Sequence, residues 1–180
     1  PFDPVKSCAP VVLIATSAVA LIVQPQLPAK SVKEFIQRAK RRPGEMLYSS
    51  PGNGGPQHLA MELFKLEAGI DIVHVPYKGL AGALTDLMGG HVQAMISATQ
   101  TAASSVRAGR VRLVAVMSPE RSTAFPEAQT FKEQGFPNLV VETWYGAFAP
   151  AGTPISAVAR INSDINAVLQ LPDMRDVLAN

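Results

Sequence analysis

The chain has 180 residues, a formal net charge of +2, 47% apolar residues and 17% charged residues. That composition supplies a packed core for one domain or two small lobes and excludes a disordered chain, and the charge is too small to imply nucleic acid. The single cysteine, Cys8, excludes an internal disulfide and a cysteine-built zinc site; with Ala9 to Ile14 beside it, Cys8 reads as buried and inert.

Val11 to Val23 (VVLIATSAVALIV) holds no charged residue. It is too short for a membrane helix, and no small-residue cleavage site follows in Gln24 to Pro28. Its branched residues, Val11, Val12, Ile14, Val19, Ile22 and Val23, suit a buried strand, either unbroken or interrupted near Thr16-Ser17. A strand so close to the first residue, without a starting methionine, reads as a chain cut from a longer one.

The pattern then alternates. Ser31 to Arg41 has helical spacing, with Ser31 as N-cap. The basic run Arg38-Ala-Lys-Arg-Arg42 closes that helix and offsets its dipole. Met46 to Ser49 reads as a strand. Gly55 to Ala68 reads as a helix with Leu59, Leu63 and Leu66 inward, stopped by Gly69. Ile72 to Val75 is a strand, and Leu80 to Met88 is a helix closed by Gly89-Gly90. Val92 to Ile96 is a strand, followed by a weaker helix from Thr99 to Ala108. Val111 to Val116 is a strand, Gln129 to Gln134 a short helix, and Leu139 to Phe148 a long strand. Pro154 to Leu169 is an amphipathic helix with Thr153 as N-cap and Pro154 in first position. Strands and helices alternating at this spacing predict an α/β fold with a mainly parallel sheet.

In such sheets ligands bind beyond the carboxyl ends of the strands. Three loops should share that rim: Ser50-Pro-Gly-Asn-Gly-Gly55, Pro76-Tyr-Lys-Gly79 and Ser97-Ala-Thr-Gln-Thr101. Backbone amides left free where a loop opens a helix suit an anion. The loops lack a phosphate-binding GxxxxGK, a dinucleotide fingerprint and a GxSxG elbow. His58, His74 and His91 have no metal-type spacing, so no metal and no cofactor is expected. His58 reads as a surface or packing residue or, in the alternative, as a polar group on the ligand side; His74 reads as a structural histidine and His91 as solvated. Tyr77 and Lys78 are rim candidates, Lys78 being suited to an anion. Asn53 suits either a left-handed turn or a ligand contact. Trp144 and Tyr145 read as core or hinge packing, with stacking on a ligand as the lesser alternative.

These residues carry a resemblance. The run YSSPGNGGPQHLAMELFKLEAGIDIVHVPYKG (Tyr48 to Gly79) resembles the substrate-binding proteins of tripartite tricarboxylate transporters, the Bug family. The likeness continues through ALTDLMGGHVQAMI (Ala83 to Ile96), AGRVRLVAVMSPERS (Ala108 to Ser122) and ETWYGAFAPAGTP (Glu142 to Pro154). It implies a type II periplasmic-binding-protein-like fold: a mainly parallel sheet lobe with helices on both faces, plus remnants of the other lobe. Residues 1–18 would be a remnant of lobe 1 with a hinge strand, 19–139 a complete lobe 2, and 140–180 the return hinge strand and part of lobe 1. It also implies a periplasmic, monomeric carrier that captures a small carboxylate without chemistry and delivers it to membrane permease subunits. The family's first glycine-rich loop would precede Pro1, and its last segment would follow Asn180.

Carried over position by position, the resemblance makes Ser50, Gly52, Asn53, Gly54 and Gly55 ligand-facing; Tyr77 is a binding candidate from its place at the strand's carboxyl end. Gly55 stands where the family usually has Ser or Thr, which leaves its amide without the hydroxyl. Ser97, Ala98 and Thr99 occupy the loop that tunes specificity. Carriers of amino-group ligands often have an Asp there, so a plain acid is expected here rather than an ammonium ligand. Two other classes stay open. One is the effector-sensing domain of a transcription regulator, which a DNA-shift assay on the intact gene product distinguishes. The other is a carboxylate-processing enzyme, which the lack of a nucleophile–base pair in the rim loops argues against.

Overall fold

The computed structural model describes residues 3–174. They fall into two compact units: one made of the described residues up to Thr16 and from Trp144 onward, the other Ser17–Thr143. The divisions fall inside the two long strands, β1 (Cys8–Val23) and β6 (Glu142–Pro150).

The larger unit holds a sheet of order β3-β2-β4-β1-β5. It is built from β2 (Leu47–Ser50), β3 (Val73–Pro76), β4 (Ala94–Ala98) and β5 (Arg112–Val116) around the second half of β1. β2 runs parallel to β3 and to β4, whereas β1 lies antiparallel to both β4 and β5. The helices are α2 (Val32–Arg41), α3 (Pro56–Ala68), α4 (Leu80–Gly89) and α5 (Thr99–Arg107).

β1 explains why both faces of the sheet are covered. Successive strand residues point to opposite faces. Val19, Leu21 and Val23 enter a core with Phe35 and Ala39 of α2, Met61 and Phe64 of α3, and Phe131. Ile22 enters a second core with Ala83 and Leu87 of α4, Ala102 of α5 and Val111. A central strand buried on both sides must be apolar throughout, and Val19 to Val23 are fully buried.

Local signals set the helix ends. Ser31 Oγ accepts the Glu34 amide at 3.2 Å, while Glu34 Oε2 accepts the Lys30 amide at 2.6 Å, so α2 opens on reciprocal side-chain caps. Gly69 (φ 59°) and Gly90 (φ 80°) end α3 and α4 in the left-handed conformation that other residues resist.

Several expectations are corrected. α3 carries two apolar stripes, and the buried one is Ala60, Met61, Phe64 and Ala68. Leu59 and Leu66 point outward, 58% and 79% exposed, and Leu63 is also exposed. Leu66→Ala should therefore change stability by no more than about 0.5 kcal/mol in urea unfolding; a loss of several kcal/mol would place it in the core. Residues 129–134 do not form a helix. Thr130 and Glu133 exchange capping bonds, Glu133 N to Thr130 Oγ1 at 3.0 Å and Thr130 N to Glu133 Oε2 at 2.7 Å. Gly135, at φ 96°, then stops the chain after a single turn, and Pro137 prevents its resumption.

In the smaller unit β6 pairs with β1, and Asp3 caps the short α1 (Pro4–Ser7), accepting from the Val5 and Lys6 amides. α6 (Ile155–Leu169) begins one residue later than expected, with Pro154 at the cap; Thr153 Oγ1 donates to the Pro150 carbonyl at 2.8 Å instead of capping. Its half-buried face is Val158, Asn162, Ile165 and Leu169, and Asn162 Nδ2 donates to the Val11 carbonyl at 2.6 Å. Ile155, Ile161 and Val168 are exposed, as are Trp144 and Tyr145 of β6, which do not form core. Cys8 is half-buried rather than buried.

Candidate anion site at the sheet rim

The register of the larger unit sets the rim. Ser50 lies opposite Pro76, and Ser49 opposite Met95. β2, β3 and β4 therefore end side by side and pointing the same way. The loops carrying Ser50 to Gly55, Tyr77, and Ser97 to Thr99 leave from neighbouring strand ends.

Backbone bonds stitch the first two loops together. Tyr77 N donates to the Ser50 carbonyl at 3.0 Å, and Gly79 N to the Pro51 carbonyl at 2.9 Å. Each rim loop opens a helix, and each of those helices lacks a side-chain cap: Gly55 precedes α3, Gly79 precedes α4 and Ala98 precedes α5. Of the longer helices that start elsewhere, α2 has its side-chain cap and α6 does not. Among the described residues the Asn53 and Gly55 amides have no protein acceptor. Lys78 is exposed and also without a partner among them. The rim thus combines free N–H groups, the positive ends of helix dipoles and one free ammonium.

The site residues play distinct parts. Ser50 is fully buried. Its Oγ lies 2.6 Å from His74 Nε2, 2.8 Å from the Gly52 carbonyl and 3.3 Å from the Gly52 amide. A hydroxyl has one proton. The arrangement closes if Ser50 donates to Gly52 O and accepts from Gly52 N–H and His74 Nε2–H. Ser50 therefore shapes the loop from below. Gly54 takes the left-handed conformation at φ 74°, and Asn53 does not, contrary to one of its two readings. The Gly54 amide donates to His58 Nδ1 at 3.0 Å, so it is engaged within the protein. Tyr77 turns toward α4, its hydroxyl donating to Asp86. That bond, with burial and the charge of Asp86 added, pushes the phenol up to about 12. Ser97 and Thr99 are buried and Ala98 half-buried at the start of α5.

Sequence reasoning missed the support beneath the first loop. The rings of His58 and His74 stack at 4.0 Å between centroids, and His74 stacks on Tyr48 at 4.8 Å. Tyr48 donates to Glu62 at 2.5 Å, and Lys65 pairs with Glu62 at 2.7 Å. Burial, the Glu62 hydrogen bond and the Glu62 charge together hold the Tyr48 hydroxyl protonated far above its ordinary range. Burial alone would raise Glu62, but hydrogen bonds from Lys65 and Tyr48 and the nearby positive charges outweigh it and hold its carboxyl low. The spacing of Tyr48, His58 and Glu62 held no signal for this cluster, because His74 comes from another strand. Ser17 and Gln100 were also missed: Ser17 Oγ donates to Gln100 Oε1 at 2.6 Å beside Thr99 Oγ1, which reaches the same oxygen at 3.2 Å.

His74 sits below the usual histidine range, first because its partial burial disfavours the charged ring and then because His58 repels its charge; Glu62 pulls the other way, and Lys65 adds a smaller repulsion. Unfolded histidine titrates near about pH 6.5. As pH falls, the unfolded chain binds this proton first. The contribution is therefore complete above about pH 6.5 and is lost as pH drops toward the folded value. His74→Gln, which keeps a donor near the Nε2 position, should flatten the dependence of Tm on pH between 7 and 5; an unchanged slope would show that His74 does not titrate in this window.

Two other arrangements deserve a chemical reading. Ser50 and His74 form a hydroxyl–imidazole pair, which nucleophilic catalysis needs and which the sequence did not reveal. Yet Ser50 is fully buried and its proton is held by the Gly52 carbonyl, so no open face is left for a substrate. A hollow of about 580 Å³ lies among Lys30, Arg112, Arg121 and Gln129. There Arg112 donates to the Leu27 and Pro25 carbonyls, and Arg121 pairs with Glu133. The two arginines are engaged, whereas the Lys30 ammonium, like that of Lys78, has no partner among the described residues. Among the described residues no group of three or more His, Cys, Asp or Glu could hold a metal, and no helix is long and apolar enough to cross a membrane.

The fold is that of periplasmic binding proteins: BugD, solved as one, superposes on this chain at 27% identity and a TM-score of 0.89, over 99% of this chain and 60% of its own. Rpa4515 of R. palustris, solved with adipate, matches at 34% identity and a TM-score of 0.91, over 99% of this chain and 60% of its own. MatC of Rhodopseudomonas palustris, solved with malate, matches at 29% identity and 0.87, over 97% and 59%. Residues 1–180 match the tripartite tricarboxylate transporter family receptor, and the chain belongs to that family. A relative in Pseudomonas sp. (strain P51), the UPF0065 protein in the tcbD-tcbE intergenic region, is 36% identical over 99% of this chain and 53% of its own length. The chain spans about half the length of the curated relatives it matches.

Proposed function

We propose that this chain supplies one lobe of a periplasmic receptor that captures a small carboxylate, leaves it chemically unchanged and hands it to the permease subunits of a tripartite transporter. The observation that carries this reading is the run of three adjacent helices starting without side-chain caps at one sheet edge. A carboxylate there meets unpaired N–H donors and about half a positive charge per helix, and charge-assisted bonds are roughly twice as strong as neutral ones. The adipate and malate held by the two structural relatives fit the same chemistry. Ser97, Ala98 and Thr99 supply no acid for an ammonium group, which favours a plain acid over an amino acid.

The breaks between units at Thr16/Ser17 and Thr143/Trp144 make β1 and β6 the candidate hinge strands, on which a second lobe would close over the acid. The receptor would act as a monomer and have no business with nucleic acid. The test is calorimetry of the full-length protein with adipate, malate and lysine, together with mass spectrometry of acids that co-purify. Binding of adipate or malate with lysine silent is expected. Lysine binding, or no small acid either bound or co-purified, would overturn the reading.

A further inference from the structure

The two histidines were set aside by the sequence and are not absorbed by the anion site, yet they lie directly under its glycine-rich loop. His58 is the third residue of α3, and its Nδ1 accepts the Gly54 amide at 3.0 Å. An imidazole nitrogen accepts only when unprotonated. The proton of neutral His58 must therefore be on Nε2. Protonating the ring would turn the acceptor into a donor and set two N–H groups against each other at Gly54. This is the one residue of the loop with a left-handed backbone, so the displaced amide would carry the neighbouring Asn53 and Gly55 amides with it.

We propose that His58 is a positioning residue for acid binding: neutral, it holds the loop through Gly54, and protonated, it releases it. The proposal rests on the carboxylate reading above. The groups facing the His58 ring are His74 of β3, stacked on it at 4.0 Å, Tyr48 of β2 at 6.4 Å, and Glu62 and Lys65 of α3, which pair with each other. Glu62 already receives bonds from Tyr48 and Lys65. His74 takes up a proton less readily than a free histidine, because it is half-buried and stacked against His58. Histidine is the side chain that changes charge between pH 5 and 8, so the loop would lose its grip on acidification. This outcome runs opposite to simple attraction, in which a charged His58 would strengthen acid binding.

Two variants of the full-length protein separate the roles. In His58→Asn the amide oxygen sits near the Nδ1 position and accepts without titrating; in His58→Ala the acceptor is gone. Affinity for adipate and malate is measured at pH 8 and 5.5, and each value is divided by that of His58→Asn at the same pH, which cancels protonation of the acid itself. For whichever acid binds more tightly, His58→Asn should stay within about twofold of wild type at pH 8, and His58→Ala should bind about fivefold to tenfold more weakly. On going to pH 5.5 the wild type should lose about fivefold relative to His58→Asn. The Gly54 amide resonance should move on the same titration curve as the His58 ring and stay still in His58→Asn.

A wild type that gains affinity relative to His58→Asn at pH 5.5, or a Gly54 amide that ignores the His58 titration, would overturn the proposal. If His58→Ala fails to fold, the His58→Asn comparison and the resonance decide alone. If neither acid binds at pH 8, the acid that co-purifies is used instead; if none does, the carboxylate reading fails while the Gly54 titration still decides whether His58 holds the loop.

Discussion

Replacing Gly54 with valine in the full-length protein is expected to weaken adipate or malate binding by about 5- to 30-fold while the fold survives. Gly54 has φ 74°, and a Cβ placed there would meet no atom within 4 Å. The penalty is therefore backbone strain alone. A left-handed residue with a side chain costs about 1–2 kcal/mol, and β-branching adds to it. The free loop escapes by leaving this conformation, and binding must then restore it. Each 1.4 kcal/mol is about tenfold in affinity, which sets the range. Gly52→Ala is the control: its φ is not positive and its Cβ would lie at an ordinary 3.7 Å from the Tyr77 carbonyl. It should bind nearly normally. A Gly54→Val protein with unchanged affinity would show that the loop is not the site.

The largest effect on stability is expected at Phe64. Its side chain is fully buried and meets Phe131 edge-on at 5.1 Å, Phe136 at 6.0 Å and Phe35 at 5.8 Å. Those partners come from α2 and from the turn after β5, so Phe64 joins segments far apart in sequence. Truncation to alanine removes the ring and leaves a cavity that the packed segments around it cannot easily close. Phe to Ala changes of this kind cost about 3–5 kcal/mol, against a typical total of about 5–15 kcal/mol. Urea unfolding should show that loss with little change in slope. A loss below about 1 kcal/mol would mean that the core lies elsewhere, and Leu66→Ala on the same helix supplies the neutral comparison.

What could be read from the sequence was what is local. Ser31 announces α2 because a cap acts within three residues. Gly69 and Gly90 announce the ends of α3 and α4 because only a residue without a side chain takes those angles freely. The alternation of such elements led to the α/β class, and the ends of adjacent parallel strands led to the rim. The choice of buried stripe on α3 was misread because leucine spacing and the Met61–Phe64 spacing are both helical, and only the partners Phe35 and Phe131 decide between them. The turn at 129–134 began with a sound capping pair, and Gly135 outweighed it. The histidine support stayed hidden because His58 and His74 belong to different elements and show no metal-type or catalytic spacing. Their meaning arises only when β3 pairs with β2 and brings His74 opposite Tyr48.

The central claim is that free amides at the rim hold an organic acid. Its most direct measurement is a crystal structure of the full-length protein with adipate or malate, whichever binds more tightly. The account predicts a carboxylate oxygen within about 2.7–3.2 Å of backbone nitrogens in the Asn53–Gly55 loop, with Gly54 still bonded to His58. An acid bound in the same crystal away from both this loop and the start of α5 would contradict it.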